Sequence, residues 1–245
     1  MIGAPIIELK QIPSTNDYAQ ELISKSEVSE GTIIIAHEQT AGKGQGDNTW
    51  ESEPGKNLTF TVVLHPVFLL PEQQFYLNKA ISLAIIDHLG TILKYKPVHI
   101  KWPNDIYYDD KKLGGILITN IISGNNFITS IAGIGLNINQ TVFNKSIPNP
   151  ESLKQILNQD FDIHEYLTTL CKTLDDRYNN LREKRFPVLD NDYKNCLLGY
   201  SEWRKYRAGK KEFEGQIRGV DEFGRLEIRT RAGELLAFSH GEIDI

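Results

Sequence analysis

Sulfur is nearly missing from this 245-residue chain, which has one methionine and two cysteines. Cys171 and Cys196 lack metal-ligand spacing and fall in stretches of helical periodicity. A disulfide scaffold and a cysteine-held metal are therefore excluded, and both residues read as inert core thiols suited to a reducing cytoplasm. Long apolar runs are missing too, and the N-terminus has no charged region leading into an apolar one, which argues against a membrane span or a secretory signal. An excess of positive charge is also absent: 27 Lys+Arg stand against 32 Asp+Glu, a formal net charge of −5. That balance argues against a general nucleic-acid binder, whose affinity rests on a basic surface. No repeat or low-complexity tract interrupts the chain. What is present is an ordinary globular composition, 40% hydrophobic and 24% charged, with length for one large core and a small second domain. A cytoplasmic protein without membrane or nucleic-acid partners is the expectation.

Periodicity places the elements. Residues 5–11 read as a strand. Ser14-Thr15-Asn16-Asp17 then sets a hydroxyl three positions before a carboxylate, a helix-start signature, and Tyr18, Ala19, Leu22 and Ile23 supply the apolar stripe. A plain cap is one reading; the other is that Ser14, Thr15 and Asn16 offer polar groups to a pocket at the positive end of the helix. Strands are expected at 32–36 and 58–64, and a helix at 72–94 with Phe75, Leu77, Ile81, Ala84, Ile85, Ile86 and Leu89 turned inward. Further strands read at 98–101, 106–108, 113–122 and 127–138, followed by a loop rich in proline and asparagine at 141–150. Helices follow at 152–157 and 162–184, then a helical stretch ending near 198, with the charges of 172–185 read as a solvated face. From Lys205 the chain turns to short glycine-broken strands at 211–217, 224–229 and 234–238, which predict a small barrel packed on the main domain. The expected division is 1–198 and 199–245.

Three stretches carry chemistry. Lys101–Gly115 (KWPNDIYYDDKKLGG) crowds a turn, a hairpin and a glycine pair into fifteen residues, as one wall of a pocket for an anionic small molecule would. His37–Trp50 alternates glycines 42, 44 and 46 with polar residues, so successive N–H groups can face an anion. The loop fits neither the Walker pattern nor the dinucleotide glycine pattern. It reads either as a hairpin connection or as a lid over a ligand. Gly133 and Gly135 inside an apolar strand weaken it unless something must approach the backbone closely.

Taken in this order, Ser14-Thr15-Asn16, Gln39–Trp50, Lys101–Asp105 with Lys112-Leu113-Gly114-Gly115, and Gly133–Asn137 resemble the biotin protein ligases. KWPND followed by KLGGIL is the most specific element, and the resemblance runs through the C-terminal EFEGQIRGVDEFGRLEIRT. It implies an α+β fold, a mixed β-sheet with helices related to the class II aminoacyl-tRNA synthetases, plus an SH3-like C-terminal barrel. Because the motifs begin at residue 14, it also implies the monofunctional type without a DNA-binding domain. The implied reaction has two steps. Biotin's carboxylate attacks the α-phosphorus of ATP to give biotinyl-5′-AMP, and a lysine of a biotin carboxyl carrier domain then attacks the adenylate. ATP, Mg²⁺ and biotin are the implied ligands, and a homodimer through sheet edges is among the assemblies the resemblance allows.

Carried over by position, Ser14, Thr15, Asn16, Gln39, Gly115 and Gly133 would bind biotin, with Gly42, Lys43, Gly44 and Gln45 closing over it. Lys43, Gln45, Trp50, Asn57, Asn104, Lys112 and Asn137 would hold ATP or the adenylate; no dedicated metal ligand is assigned. Lys112 is the expected catalytic cation, and Asp105 would either hold it or receive the carrier amine. Lys111, one residue earlier on a strand, should face away. The family's glycine loop usually carries arginines, whereas this chain has Lys43, Gln45, Gly46 and Asp47, so the adenylate should be held less tightly unless Lys56 compensates. Rival readings are a lipoate or octanoate ligase or transferase on the same fold and a non-catalytic biotin sensor. A barrel that binds proline-rich peptides is a third, with no run of surface aromatics to support it.

Overall fold

Seven strands rich in β-branched residues join one mixed sheet in the computed structural model, which describes residues 1–94, 97–124, 126–145 and 147–245. They are β1 (Ile6–Ile12), β2 (Ile33–Gln39), β3 (Leu58–Leu64), β4 (Val98–Lys101), β5 (Asp105–Tyr108), β6 (Lys111–Ser123) and β7 (Asn126–Leu136). Their spatial order is β1-β2-β3-β7-β6-β5-β4, with β1 and β2 parallel and every other pair antiparallel. The parallel pair exists because helix α1 (Thr15–Lys25) carries the chain back across the sheet, as a parallel connection requires. Ser14 caps α1 by accepting from the Asp17 N–H, as its spacing predicts.

The two faces of the sheet are covered differently. One carries Ile33, Ile35, Phe60, Val62, Ile116 and Ile134 into the main core. Helices α2 (Phe75–Leu93), α4 (Ile163–Arg182) and α5 (Phe186–Cys196) form the layer on that side, with the short α3 (Leu153–Leu157) leading into it. The other face packs Ile34, Val63 and Ile131 against Ala19 of α1. Since α1 has eleven residues, it covers only the β1–β2–β3 side and part of β7.

The strand and helix expectations hold with shifts at the ends, and three points differ. The helix expected from residue 72 begins as a 3₁₀ turn at Pro71–Gln73, and α2 is buried most of the way round, with Lys79, Ser82 and His88 inside. The charges of 172–185 are not all solvated. Arg177 holds both carboxylate oxygens of Asp87 on α2 and reaches Asp192 on α5, at 2.6, 3.0 and 2.6 Å, so it ties three helices together. The third is an extra strand in the small C-terminal sheet, whose order is β11-β10-β9-β8. To β9 (Lys211–Val220), β10 (Leu226–Thr230) and β11 (Leu235–Phe238) it adds β8 (Trp203–Ala208), a mostly exposed edge whose polar sequence hides the alternation. The loop at 141–150 includes Ser146, which lies outside the described residues.

Candidate active site

Short side chains decide where the cavity forms. On the face α1 leaves open, β7 presents Gly133 and Gly135, and β6 presents Gly115 opposite Gly135. The sheet surface is low there, and a cavity of about 650 Å³ lies over it. That size suits a drug-sized ligand.

The first wall is built at the start of α1. Gln39, the last residue of β2, accepts on Oε1 from both the N–H and the hydroxyl of Thr15, at 2.8 and 3.0 Å. With its oxygen committed twice, its amide nitrogen is left as a donor for the cavity. Thr61 Oγ1 lies 2.8 Å from Thr15 Oγ1 and 2.6 Å from Asn16 Oδ1, and Asn16 Nδ2 donates to the Leu117 carbonyl. Asn16 thereby fills the space over Gly133, where a Cβ would collide with its amide. The close approach that this glycine permits is taken by a side chain of the same chain.

The second wall is the Lys101–Gly115 stretch. Trp102 is buried and donates Nε1–H to the Gly224 carbonyl of the C-terminal sheet, and the Pro103 carbonyl accepts from Asn78 and from Tyr193. The turn between β4 and β5 is thus fixed from α2, α5 and the second sheet. Trp102 and Pro103 serve packing and the turn, as their chemistry suggests. Asn104 donates to the Ile116 carbonyl at 2.5 Å, and Lys101 lies over the Tyr107 ring.

Lys112 reaches the cavity because β6 is irregular. Asp105 pairs with Gly115 and Ile106 with Gly114, but Tyr107 pairs with Lys112, so Leu113 is an extra residue in the strand. Strict alternation would put Lys112 on Gly114's side. The bulge moves it to the side of Asp105, Tyr107 and Gly115, the kind of re-aiming bulges provide beside active sites. Its Nζ lies 2.7 Å from Asp105 Oδ1. Lys111 points the other way, to Glu151 at 2.6 Å. The main chain of Lys112 is clamped as well, donating to the Asn149 carbonyl and accepting from the Glu151 N–H. Tyr107, close to this pair, has its phenol pKa raised by burial and by the Asp105 charge.

The third wall is the glycine loop. It folds back as a hairpin in which Lys43 bridges to Thr49, Gly44 N–H donates to the Asn48 carbonyl and Trp50 N–H to the Gly42 carbonyl. The Trp50 indole lies against Gly135, where a Cβ would strike the ring. Among the described residues, Trp50 Nε1 and Gln45 Oε1 are buried without a partner, an unmet donor and acceptor in the cavity wall. Lys43 is turned to Asp17 on α1 at 2.7 Å.

Of the residues singled out in the sequence, Ser14, Thr15, Asn16, Gln39, Lys43, Gly44, Gln45, Trp50, Asn104, Asp105, Lys112, Gly115, Gly133 and Asn137 line this one cavity. Gly42 and Asn57 do not. Gly42 is buried against the Trp50 carbonyl and Gln39, and shapes the hairpin. Asn57 is buried and fully engaged, donating to Gln140 and Ser52 and accepting from the Ile138 N–H. Lys56 and Asp47 are exposed and outside the cavity. Two parts of the wall went unnoticed in the sequence: Phe143, Ile147, Pro148 and Pro150 of the loop before α3, and His240, Gly241, Ile243, Asp244 and Ile245 at the C-terminus. The first carries only a composition signal, and the second is brought in by docking of the small sheet.

The chain matches the model of the Biotin/lipoate A/B protein ligase family over residues 8–139 and that of the Biotin protein ligase C terminal domain over 205–245. It is 27% identical to the bifunctional ligase/repressor BirA of Bacillus spizizenii over 95% of this chain and 72% of that one. It is also 27% identical to the biotin–[acetyl-CoA-carboxylase] ligase of Mycobacterium tuberculosis, over 95% of this chain and 86% of that protein. Among solved structures it is similar to the biotin protein ligase from Aquifex aeolicus in complex with biotin and ATP. The TM-score is 0.81 at 28% identity, covering 98% of each chain.

Proposed function

The chain belongs to the Biotin/lipoate A/B protein ligase family, and from that premise we propose that it joins biotin to a lysine of a carrier protein at the expense of ATP. The observation that carries this reading is the Lys112–Asp105 pair beside Gly115 in the same cavity as the Thr15–Gln39–Asn16 network. A neutral hydrogen-bonding network and a lysine in one cavity suit a ligand with a neutral hydrogen-bonding head and an anionic tail that takes Lys112 over from Asp105. The match to a biotin ligase C-terminal domain supports biotin over lipoate.

In the first step the biotin carboxylate displaces pyrophosphate from the α-phosphorus of ATP. Both reactants are anions, so the chain must hold a cation where they meet. Lys112 serves there. Asp105 keeps its ammonium oriented until the phosphate competes for it, and Gly115 leaves room for the carboxylate to come alongside. Trp50, with its ring against Gly135, offers an indole surface to the adenine. In the second step the carrier amine attacks the acyl carbon and AMP leaves. Asp105, freed from Lys112, is the base within reach.

A magnesium ion fits the site as a companion of ATP. Asn104 and Asn137 spend their amide N–H groups on main-chain carbonyls, which leaves their oxygens as hard donors. Such an ion would keep most of its coordination on phosphate oxygens and water, and its charge would lower that of the triphosphate. The two free cysteines support a reducing compartment such as the cytoplasm. No helix among the described residues is long and apolar enough to cross a membrane. The partner under this reading is a biotin carboxyl carrier domain.

The test is biotin-dependent pyrophosphate release from ATP, followed by labelling of a carrier domain, with wild type and Lys112→Ala. Wild type should do both, and the variant should release pyrophosphate about 10²-fold or more slowly, with labelling reduced to match. Binding of biotin without pyrophosphate release would favour a sensor; release with lipoate or octanoate instead of biotin would favour the related ligases.

A further inference from the structure

Away from the cavity, three side chains from three elements meet at the sheet's edge. Glu8 stands on β1, His37 near the end of β2, and His164 in the first turn of α4. Glu8 Oε1 lies 2.6 Å from His37 Nε2 and 3.5 Å from His164 Nε2. One ligand atom from each residue falls within 4.8 Å of the other two, a grouping found nowhere else among the described residues. The imidazole rings meet at 61° with centroids 6.2 Å apart, so both nitrogens can turn towards a common centre without stacking.

We propose that Glu8, His37 and His164 bind a divalent transition metal ion of the zinc class. Two imidazoles and one carboxylate are the ligand set such ions favour, and hard cations that prefer all-oxygen surroundings do not. In a tetrahedral zinc site with bonds near 2.0–2.1 Å, ligand atoms sit about 3.3 Å apart. The Glu8–His164 pair already has that spacing. The Glu8–His37 pair is hydrogen-bonded and closer, and it needs to open by less than about 1 Å, within the reach of a side-chain rotation. The three side chains are 45–60% exposed, so the fourth position is open to water. Asp162, the cap of α4, places a further carboxylate two residues from His164 and offsets the positive end of the helix. An ion here would join α4 to β1 and β2. None of the three residues lines the cavity.

The full chain, stripped with a chelator and titrated with Zn²⁺ alone, should bind one ion per molecule at micromolar concentration with a rise in Tm. Millimolar Mg²⁺ should leave that binding unchanged. Loaded instead with Co²⁺, the protein should show the visible absorption bands of a low-coordinate site. His164→Ala and Glu8→Gln should each lose the ion, the Tm rise and the bands, whereas His99→Ala should keep all three. Because the altered side chains are exposed, both variants should melt like wild type in chelator. Failure of wild type to bind Zn²⁺, or retention of binding by His164→Ala, overturns the proposal.

Discussion

Lys112 and Lys111 are neighbours with identical chemistry and opposite surroundings. Lys112 meets Asp105 at the cavity, and Lys111 meets the mostly buried Glu151, whose hydrogen bond raises the lysine's pKa. Lys111→Ala should therefore leave pyrophosphate release unchanged. Lys112→Ala should lower it by about 10²-fold or more, the scale of losing one group that stabilises charge in a transition state. Equal losses from the two variants would sink the assignment. Gln45 is the second residue to probe, since its buried Oε1 has no partner and an arginine there would add a planar donor facing the cavity. Gln45→Arg should slow release of the adenylate in a trapping assay; unchanged release would mean the loop's lack of arginine has no consequence. The lysine pair was legible as a pair facing opposite ways. Which of the two faces the cavity was not legible from alternation alone, which would have put Lys111 beside Gly115. The bulge at Leu113 reverses that, and a bulge depends on pairing with a strand elsewhere.

Among the elements, the helical layer is held by charge as well as by apolar contact. Arg177 is mostly buried, and its guanidinium pKa is raised by hydrogen bonds to Asp87 and Asp192, against the opposing effect of burial. Arg177→Met would leave two carboxylates facing each other without a cation. Both are about one-third exposed, so the loss should be about 2 kcal/mol, below the 3–5 expected for a fully buried pair. Urea unfolding measures it, and a change under about 0.5 kcal/mol would show that solvent screens the cluster. Helices α2 and α4 were legible from their 3.6-residue stripes, but Arg177 reads as one more charge on a polar face. Only the packing of α5 against α2 and α4 turns it inward. Strand β8 was lost for a related reason: an exposed edge needs no apolar alternation, so it leaves none in the sequence.

At the scale of the whole molecule, pH dependence should come in part from His88. It is 5% exposed, packs edge-on against Tyr166, and burial lowers its pKa to about 4 from the usual 6.5. Between those values the unfolded chain takes up a proton that the folded chain refuses. Stability should therefore fall as pH drops from about 6.5 to 4, by up to about 3 kcal/mol from this residue, and be untouched by it above 6.5. His88→Phe should show a shallower decline over that window in urea titrations; a decline as steep as wild type's would refute the assignment. Joining of the two sheets is testable as well. Trp102→Phe would remove the donor to the buried Gly224 carbonyl and should cost about 1–3 kcal/mol. If the C-terminal wall matters to the site, biotin-dependent turnover should fall with it.

Local chemistry in the sequence determined the order of the helices and of every strand but β8, the cap at Ser14, the glycine positions and the family, because each depends on neighbours a few residues apart. Tertiary structure decided what depends on distant partners: that a bulge at Leu113 is what turns Lys112 to the cavity, that Asn16 occupies the space over Gly133, and that Asn57 is spent on Gln140 and Ile138. It also decided that the chain's last residues close the cavity and that Glu8, His37 and His164 meet at all. Asn16 meets Gly133 across 117 residues and Glu8 meets His164 across 156, and no periodicity reaches that far.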